Sequence, residues 1–378
     1  MTSRGLYIHV PLCASKCLYC DFYSLPIAEE LVSQYLLALL REIQLKGDIW
    51  GGPVSTVYFG GGTPSCLSLG QVATILQECN RFFTWKRGSE VTFEINPNRR
   101  ESDYLRGLKS LGITRLSVGL QTAEPRHLAL LRRRHTVSDF YRISENIASV
   151  GFGNYSVDAL YGFPKQTLDE YLCTLKLIVS AGANHVSSYA LQLEPHTPLA
   201  VEVAQGNLTL PTEDEVADMM LAGRDYLVAQ GLSHYELSNF AAERYESEHN
   251  TIYWKNEQYI GLGPGASSYI RGRRFSNVAN LAHYATRLNA NCLPVVACEQ
   301  LARLQEMGET MILGLRMLRE GVNRERFHQR FGCDCVQLYN RVVSKFVAQG
   351  LLEVTAEAMR LTARGFPLAN RVQMEFLP

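Results

Sequence analysis

The chain has 378 residues, too many for one small domain and enough for about two. Its 37 Lys plus Arg balance its 37 Asp plus Glu, which removes bulk charge as a reason to expect a nucleic-acid or anionic-membrane partner. No segment offers an apolar run of secretory or membrane-spanning length, so a cytoplasmic protein, at most peripheral to the inner face of a membrane, is expected.

The first strand pattern, Leu6, Ile8 and Val10, ends at Pro11, and the loop after it carries Cys13, Cys17 and Cys20 in C-x3-C-x2-C spacing. Thiolates this close in sequence can face one soft metal centre. A zinc site would need a fourth ligand from a distant Cys or His. A [4Fe-4S] cluster on three cysteines leaves one iron open; the bland alternative is three buried structural thiols. The other seven cysteines, from Cys66 to Cys335, show no disulfide framework, which fits a reducing compartment.

Further along, β-rich runs at 5–10, 54–59, 90–95, 114–119, 153–159 and 184–190 alternate with amphipathic helical patterns at 28–46, 67–83, 101–111, 138–150 and 167–181. Such alternation implies an α/β protein with a parallel sheet and right-handed crossovers. The first βα turn lacks G-x-G-x-x-G, which counts against a Rossmann sheet. A curved partial (β/α)6 barrel is the expected fold. In β/α barrels working residues stand at the carboxyl ends of strands. There this chain places the cysteine loop, Gly60 to Pro64, Glu94 and Asn96, Gln121, Asp158, and Ala190 to Gln192.

The C-x3-C-x2-C motif, with Tyr19 just before its last Cys, resembles the signature of the radical S-adenosylmethionine (SAM) enzymes, in which the open iron chelates the amino and carboxylate groups of SAM. FGGGTPS at 59–65 could be a plain glycine turn; beside that loop it resembles the motif that contacts the methionine amino group. Resemblance to the coproporphyrinogen-oxidase-like branch of the superfamily implies a SAM site formed by Tyr7, Gly61, Gly62, Thr63, Glu94, Gln121, Arg133, Asp158 and Ala190. Carboxylates suit the amino and hydroxyl groups of SAM, and an arginine suits its carboxylate. Within Arg132, Arg133 and Arg134, only spacing from Gln121 singles out Arg133; a run of arginines is commonly a solvated face.

After an acidic helix near 212–229 comes H-N-x-x-Y-W, written as His249, Asn250, Tyr253 and Trp254. Imidazole beside aromatic surface is what a haem pocket supplies, although these residues could equally pack the barrel mouth. The motif resembles one proposed for haem binding in the haem chaperones of the same branch, which implies His249 as a haem ligand. That family often has His where this chain has Ser267, so the resemblance supplies no further histidine ligand there.

From about residue 300 the pattern turns helical, with three helices, a short hairpin and a final helix that resemble the branch's winged-helix C-terminal domain. The expected division is a barrel over 1–240, a connecting segment with the H-N-x-x-Y-W motif over 241–300, and a winged-helix-like domain over 301–378. No basic recognition helix stands out, and no nucleic-acid partner is expected. The coproporphyrinogen dehydrogenases carry a further Cys two positions after the third cluster cysteine, where this chain has Phe22. The resemblance therefore implies a haem chaperone that carries haem as cargo to haem-requiring proteins, including membrane-bound ones. An electron donor for the cluster and a homodimer are compatible with it. One alternative is the oxidative decarboxylation of coproporphyrinogen III; a second is a nucleic-acid-binding protein that uses the winged helix, which the neutral overall charge disfavours.

Overall fold

The alternation of apolar and polar residues along the strands decides which way each side chain faces. The computed structural model describes residues 4–98 and 101–377. Strand β1 (Arg4–Val10) leads through α1 (Glu29–Trp50) to β2 (Thr56–Gly61), α2 (Leu69–Phe82), β3 (Glu90–Ile95), α3 (Ser102–Ser110), β4 (Arg115–Gln121), α4 (Val137–Val150), β5 (Tyr155–Tyr161), α5 (Leu168–Ser180) and β6 (His185–Ala190). Neighbouring strands from β1 to β6 pair in parallel. Capping boxes at Ser68/Gln71, Thr136/Asp139 and Thr167/Glu170 start α2, α4 and α5 by satisfying their first free N–H groups.

One register set, including Leu6, Ile8, Val57, Phe59, Val91, Phe93, Leu116, Val118 and Val157, joins α-helical residues such as Leu39, Ile75, Leu105, Ile143 and Ile178 in a single apolar core. The other set is polar: Tyr7, His9, Thr56, Tyr58, Thr92, Glu94, Arg115, Ser117, Gln121, Ser156, Asp158, His185 and Ser187. It lines the concave side of the sheet, so the lumen is not the layered aliphatic packing of a closed barrel.

The sheet stays open. After α6 (Glu213–Ala229), β7 (Ser233–Glu236) and β8 (Asn239–Ala241) add antiparallel strands beside β6. At the other edge, beyond α7 (Glu248–Trp254), β9 (Gln258–Leu262) pairs in parallel with β1. It is followed by β10 (Ser267–Ile270), β11 (Arg273–Asn277) and, after α8 (Leu281–Asn289), β12 (Val295–Gln300), all antiparallel. The order is β7-β8-β6-β5-β4-β3-β2-β1-β9-β10-β11-β12. The stretch 241–300 thus extends the main sheet as well as connecting. A buried ion pair holds this extension to α1. Lys46 Nζ lies 2.8 Å from Glu42 and donates to Gly261 O and Asn277 Oδ1, while Glu42 accepts from Gly263 N, Asn277 Nδ2 and Tyr284 OH. Both side chains are buried, and their hydrogen bonds offset part of the cost of taking the pair out of water.

The helix α7 closes the lumen at the amino ends of the strands. Glu90 accepts from the backbone N–H groups of Glu248 (2.9 Å) and His249 (3.0 Å). The C-terminal part has its own apolar core, including Met311, Phe327, Phe331, Phe346, Met359 and Phe376. It contains α9 (Arg303–Gly314), α10 (Arg324–Phe331), α11 (Asn340–Ala348), the hairpin β13 (Leu352–Val354) and β14 (Ala358–Leu361), and α12 (Ala369–Met374). A short strand at Val322–Asn323 pairs with β14, beyond the hairpin expected from the sequence. The guanidinium of Arg316 lies 4.1 Å from the ring centroid of Trp254, a cation–π contact that docks this part on α7. Among the described residues no helix is long and apolar enough to cross a membrane.

Candidate metal centre and cofactor cleft

Cys13, Cys17 and Cys20 are free thiols on a loop whose base is closed by pairing of Leu12–Cys13 with Leu25–Pro26. All three line one cleft at the carboxyl ends of the strands. A ring of hydrogen bonds runs beneath them. Thr63 Oγ1 donates to Cys13 Sγ (3.5 Å), Asn96 Nδ2 donates to Thr63 Oγ1 (3.2 Å), and Arg133 donates to Asn96 Oδ1 (2.9 Å) and Cys17 Sγ (3.7 Å). Arg133 also donates to the carbonyl of Gly119. Two donors thus serve the sulfurs, and one carries the positive charge that a set of thiolates requires.

Gly62 is fixed by proximity to this loop. A Cβ there would lie 2.8 Å from Leu12 O, 2.9 Å from Val10 O and 3.0 Å from Cys13 Sγ. Gln121 ends β4 in the left-handed region (φ 73°), at a register shift against β5. Such a conformation in a non-glycine residue is held by its surroundings.

The same cleft takes in Tyr7, Gly61, Thr63, Glu94, Gln121 and Asp158. Burial, opposed by a hydrogen bond from Tyr58 and reinforced by the charge of Asp158, pushes the Glu94 carboxyl up to about 8. Burial raises Asp158 as well, against Ser187, Arg115 and Arg133. Two carboxyls held above their ordinary range in one cleft favour a ligand that brings positive charge or hydroxyl donors.

The structure therefore brings together the three cysteines and all the expected SAM residues but one. Ala190 lines a neighbouring groove with Tyr19, Phe22, Tyr161, Tyr189 and Phe366. In the arginine run, Arg132 and Arg134 are exposed while Arg133 turns inward. His249 departs furthest from expectation. It sits at the floor of the lumen rather than its mouth, 1 % exposed. Nδ1 is 2.7 Å from Thr56 Oγ1 and Nε2 is 2.8 Å from Tyr253 OH, so neither ring nitrogen is free to ligate haem iron in this conformation.

Sequence reasoning noted Asn96 at the end of its strand without a role, and passed over Tyr58 and Thr56. Tyr58 OH donates to Glu94 Oε1 at 2.8 Å. The signal for both was available, since they share the alternate register that puts Tyr7 and Glu94 in the lumen.

The family model of the radical SAM superfamily matches residues 7–178, and that of the HemN C-terminal domain matches 301–368. Open barrel, three-cysteine loop and polar cleft together define a radical SAM protein, and that family implies a [4Fe-4S] cluster and SAM. The chain is 35 % identical over 376 residues to the heme chaperone HemW of Bacillus subtilis, covering 99 % of both chains. It is 33 % identical over 374 residues to that of Lactococcus lactis, covering 99 % of this chain and 97 % of the relative. Coproporphyrinogen III oxidase (HemN) from Escherichia coli has the same fold, with a TM-score of 0.86 at 21 % identity over 99 % of this chain and 90 % of that one. The chain belongs to the heme chaperone HemW family within the radical SAM superfamily.

The residues present fit the cofactors this family implies. The three cysteines are unpaired and face one space, and the buried Nε of Arg133 has no hydrogen-bond partner among the described residues.

Proposed function

We propose that this protein is a haem chaperone: it binds haem and hands it to haem-requiring proteins, with a [4Fe-4S] cluster on Cys13, Cys17 and Cys20 and SAM in the adjoining cleft. The observation that carries the reading is similarity at 33–35 % identity to heme chaperones over essentially the whole chain, barrel and C-terminal part alike. Phe22 supports it. The ring is 59 % exposed at the edge of the cysteine cleft, where a decarboxylase of this branch would carry a further thiol.

Within this reading Arg133 and Thr63 stabilise thiolate charge, and Glu94 and Asp158 accept from the amino and hydroxyl groups of SAM. Gly61 and Gly62 let the backbone approach it. When bound, the cluster supplies an open iron for chelating SAM and a site for one electron from a donor protein. The chaperone would act in the cytoplasm, reaching membrane-bound acceptors from their cytoplasmic side.

Anaerobically reconstituted protein titrated with haem should show a saturable Soret band, and the same sample given SAM, reductant and coproporphyrinogen III should form no protoporphyrinogen IX. Absence of saturable haem binding, or decarboxylation of the porphyrinogen, would overturn the reading.

A further inference from the structure

The H-N-x-x-Y-W motif is not absorbed by the cysteine cleft, yet it lies directly beneath it. We propose that His249 is a positioning residue of the SAM cleft: it holds the ring of Tyr58, and Tyr58 in turn holds the carboxylate of Glu94.

Five contacts make the chain of support. The helix α7 is anchored by Glu90, which accepts from the His249 backbone N–H. The imidazole is pinned in its own plane at both nitrogens, by Thr56 Oγ1 at 2.7 Å and Tyr253 OH at 2.8 Å. A ring fixed at two opposite edges presents a rigid face. That face stacks on Tyr58, with centroids 5.0 Å apart and planes 30° apart. The far end of Tyr58 donates its hydroxyl to Glu94 Oε1 at 2.8 Å.

Two glycines show how closely this stack is packed. A Cβ on Gly5 would lie 3.0 Å from Cε1 of His249. A Cβ on Gly60 would lie 2.8 Å from Cε1 of Tyr58 and 2.9 Å from Oε1 of Glu94. The imidazole is thus confined by β1, and the Tyr58–Glu94 pair by β2. Glu94 also faces a second carboxylate, Asp158, across the cleft. A directed donor from below sets where its oxygens stand, and an acceptor set in advance binds without first being ordered.

The inference rests on the reading that Glu94 contacts SAM, and the experiment separates the two. SAM affinity is measured by anaerobic equilibrium titration on cluster-loaded protein, with cluster absorbance and far-ultraviolet circular dichroism as controls. Glu94→Gln tests the underlying reading and should weaken SAM about 10-fold or more. Tyr58→Phe keeps the stacked ring but loses the donor and should weaken SAM about 10-fold.

His249→Ala removes the supporting face and should give a similar loss. His249→Phe, which restores an aromatic face, should recover affinity to within about 3-fold of the wild type. The double variant His249→Ala/Tyr58→Phe should bind no more weakly than the worse single one, because both act through one carboxylate. Gly5→Ala, which displaces the ring by a few tenths of an ångström, serves if His249→Ala fails to fold, and should weaken SAM measurably.

Loss in Glu94→Gln with wild-type affinity in Tyr58→Phe or His249→Ala overturns the inference alone, as do independent, multiplying losses in the double variant. Unchanged affinity in Glu94→Gln overturns the reading of Glu94 and the inference together.

Discussion

The guanidinium of Arg133 lies 3.7 Å from the sulfur of Cys17 and, through Asn96 and Thr63, is hydrogen-bonded to Cys13 as well. A cation beside a thiolate stabilises the charge the thiolate carries, and on a cluster it favours the reduced, more negative state. Arg133→Gln should therefore shift the cluster's reduction potential to a more negative value and weaken SAM about 10-fold or more. Spectroelectrochemical titration checks the first effect. An unchanged potential would detach Arg133 from the cluster.

Substituting Cys13, Cys17 and Cys20 together by Ser should abolish the broad visible absorption of the reconstituted protein. Iron analysis showing about four irons per chain in the triple variant would show that other residues hold the cluster.

The space around Gly62 makes a sharper prediction than loss of SAM. A side chain there meets the carbonyls of Val10 and Leu12 and the Cys13 sulfur, so Gly62→Val should disturb the cysteine loop itself. The variant should reconstitute less iron than wild type as well as bind SAM weakly. A fully loaded variant with wild-type SAM affinity would contradict that geometry.

Stability should depend on pH from both sides. Burial holds the His249 imidazole down at about 3, with His9, His135 and His234 at about 4, against an ordinary value near 6.5. The unfolded chain binds more protons than the folded one between those values, so stability falls as pH drops from about 6.5 towards 3. Glu94 has the opposite sign. Raised to about 8, it is protonated in the fold where the unfolded chain is ionised, so its contribution is complete below about 4.5 and is lost as pH rises through about 8. Thermal melts of the SAM-free protein should show highest stability between those limits, and Glu94→Gln should flatten the alkaline side. Equal alkaline slopes in wild type and Glu94→Gln would contradict the assignment.

The buried pair Glu42–Lys46 should behave as a unit. Lys46→Met leaves a buried carboxylate without its counter-charge and should cost about 3–5 kcal/mol. Adding Glu42→Gln should recover part of that loss, because Gln still accepts from Gly263 and Tyr284 without the charge. Denaturant melts would decide; a double variant as unstable as Lys46→Met would show that the hydrogen bonds, not the charge, matter.

Much of this was legible in the chain because β/α barrels encode position twice. Strand ends collect the chemistry and strand alternation sorts it. The first rule placed the cysteine loop, Gly62, Glu94, Gln121 and Asp158 on one rim, and the structure assembles them into one cleft. The second rule also puts Thr56 and Tyr58 in the lumen, but alternation alone does not say that Tyr58 reaches Glu94. Spacing from Gln121 points to Arg133 within the arginine run, and the fold supplies the physical difference by turning that one of three identical side chains inward. For His249, the motif reports which residues travel together and not which atoms are free. The fold places Thr56 and Tyr253 at its two nitrogens. The parallel pairing of β9 with β1 joins residues about 250 positions apart in sequence, and local patterns carry no trace of it.

Direct transfer of haem is decided by stopped-flow mixing of the haem-loaded protein with an apo-haem protein. Handover within a complex predicts a transfer rate that rises with acceptor concentration and exceeds the rate of spontaneous release measured against a haem scavenger. A rate equal to spontaneous release and independent of acceptor concentration would mean that haem leaves before it is delivered, and would contradict the chaperone reading.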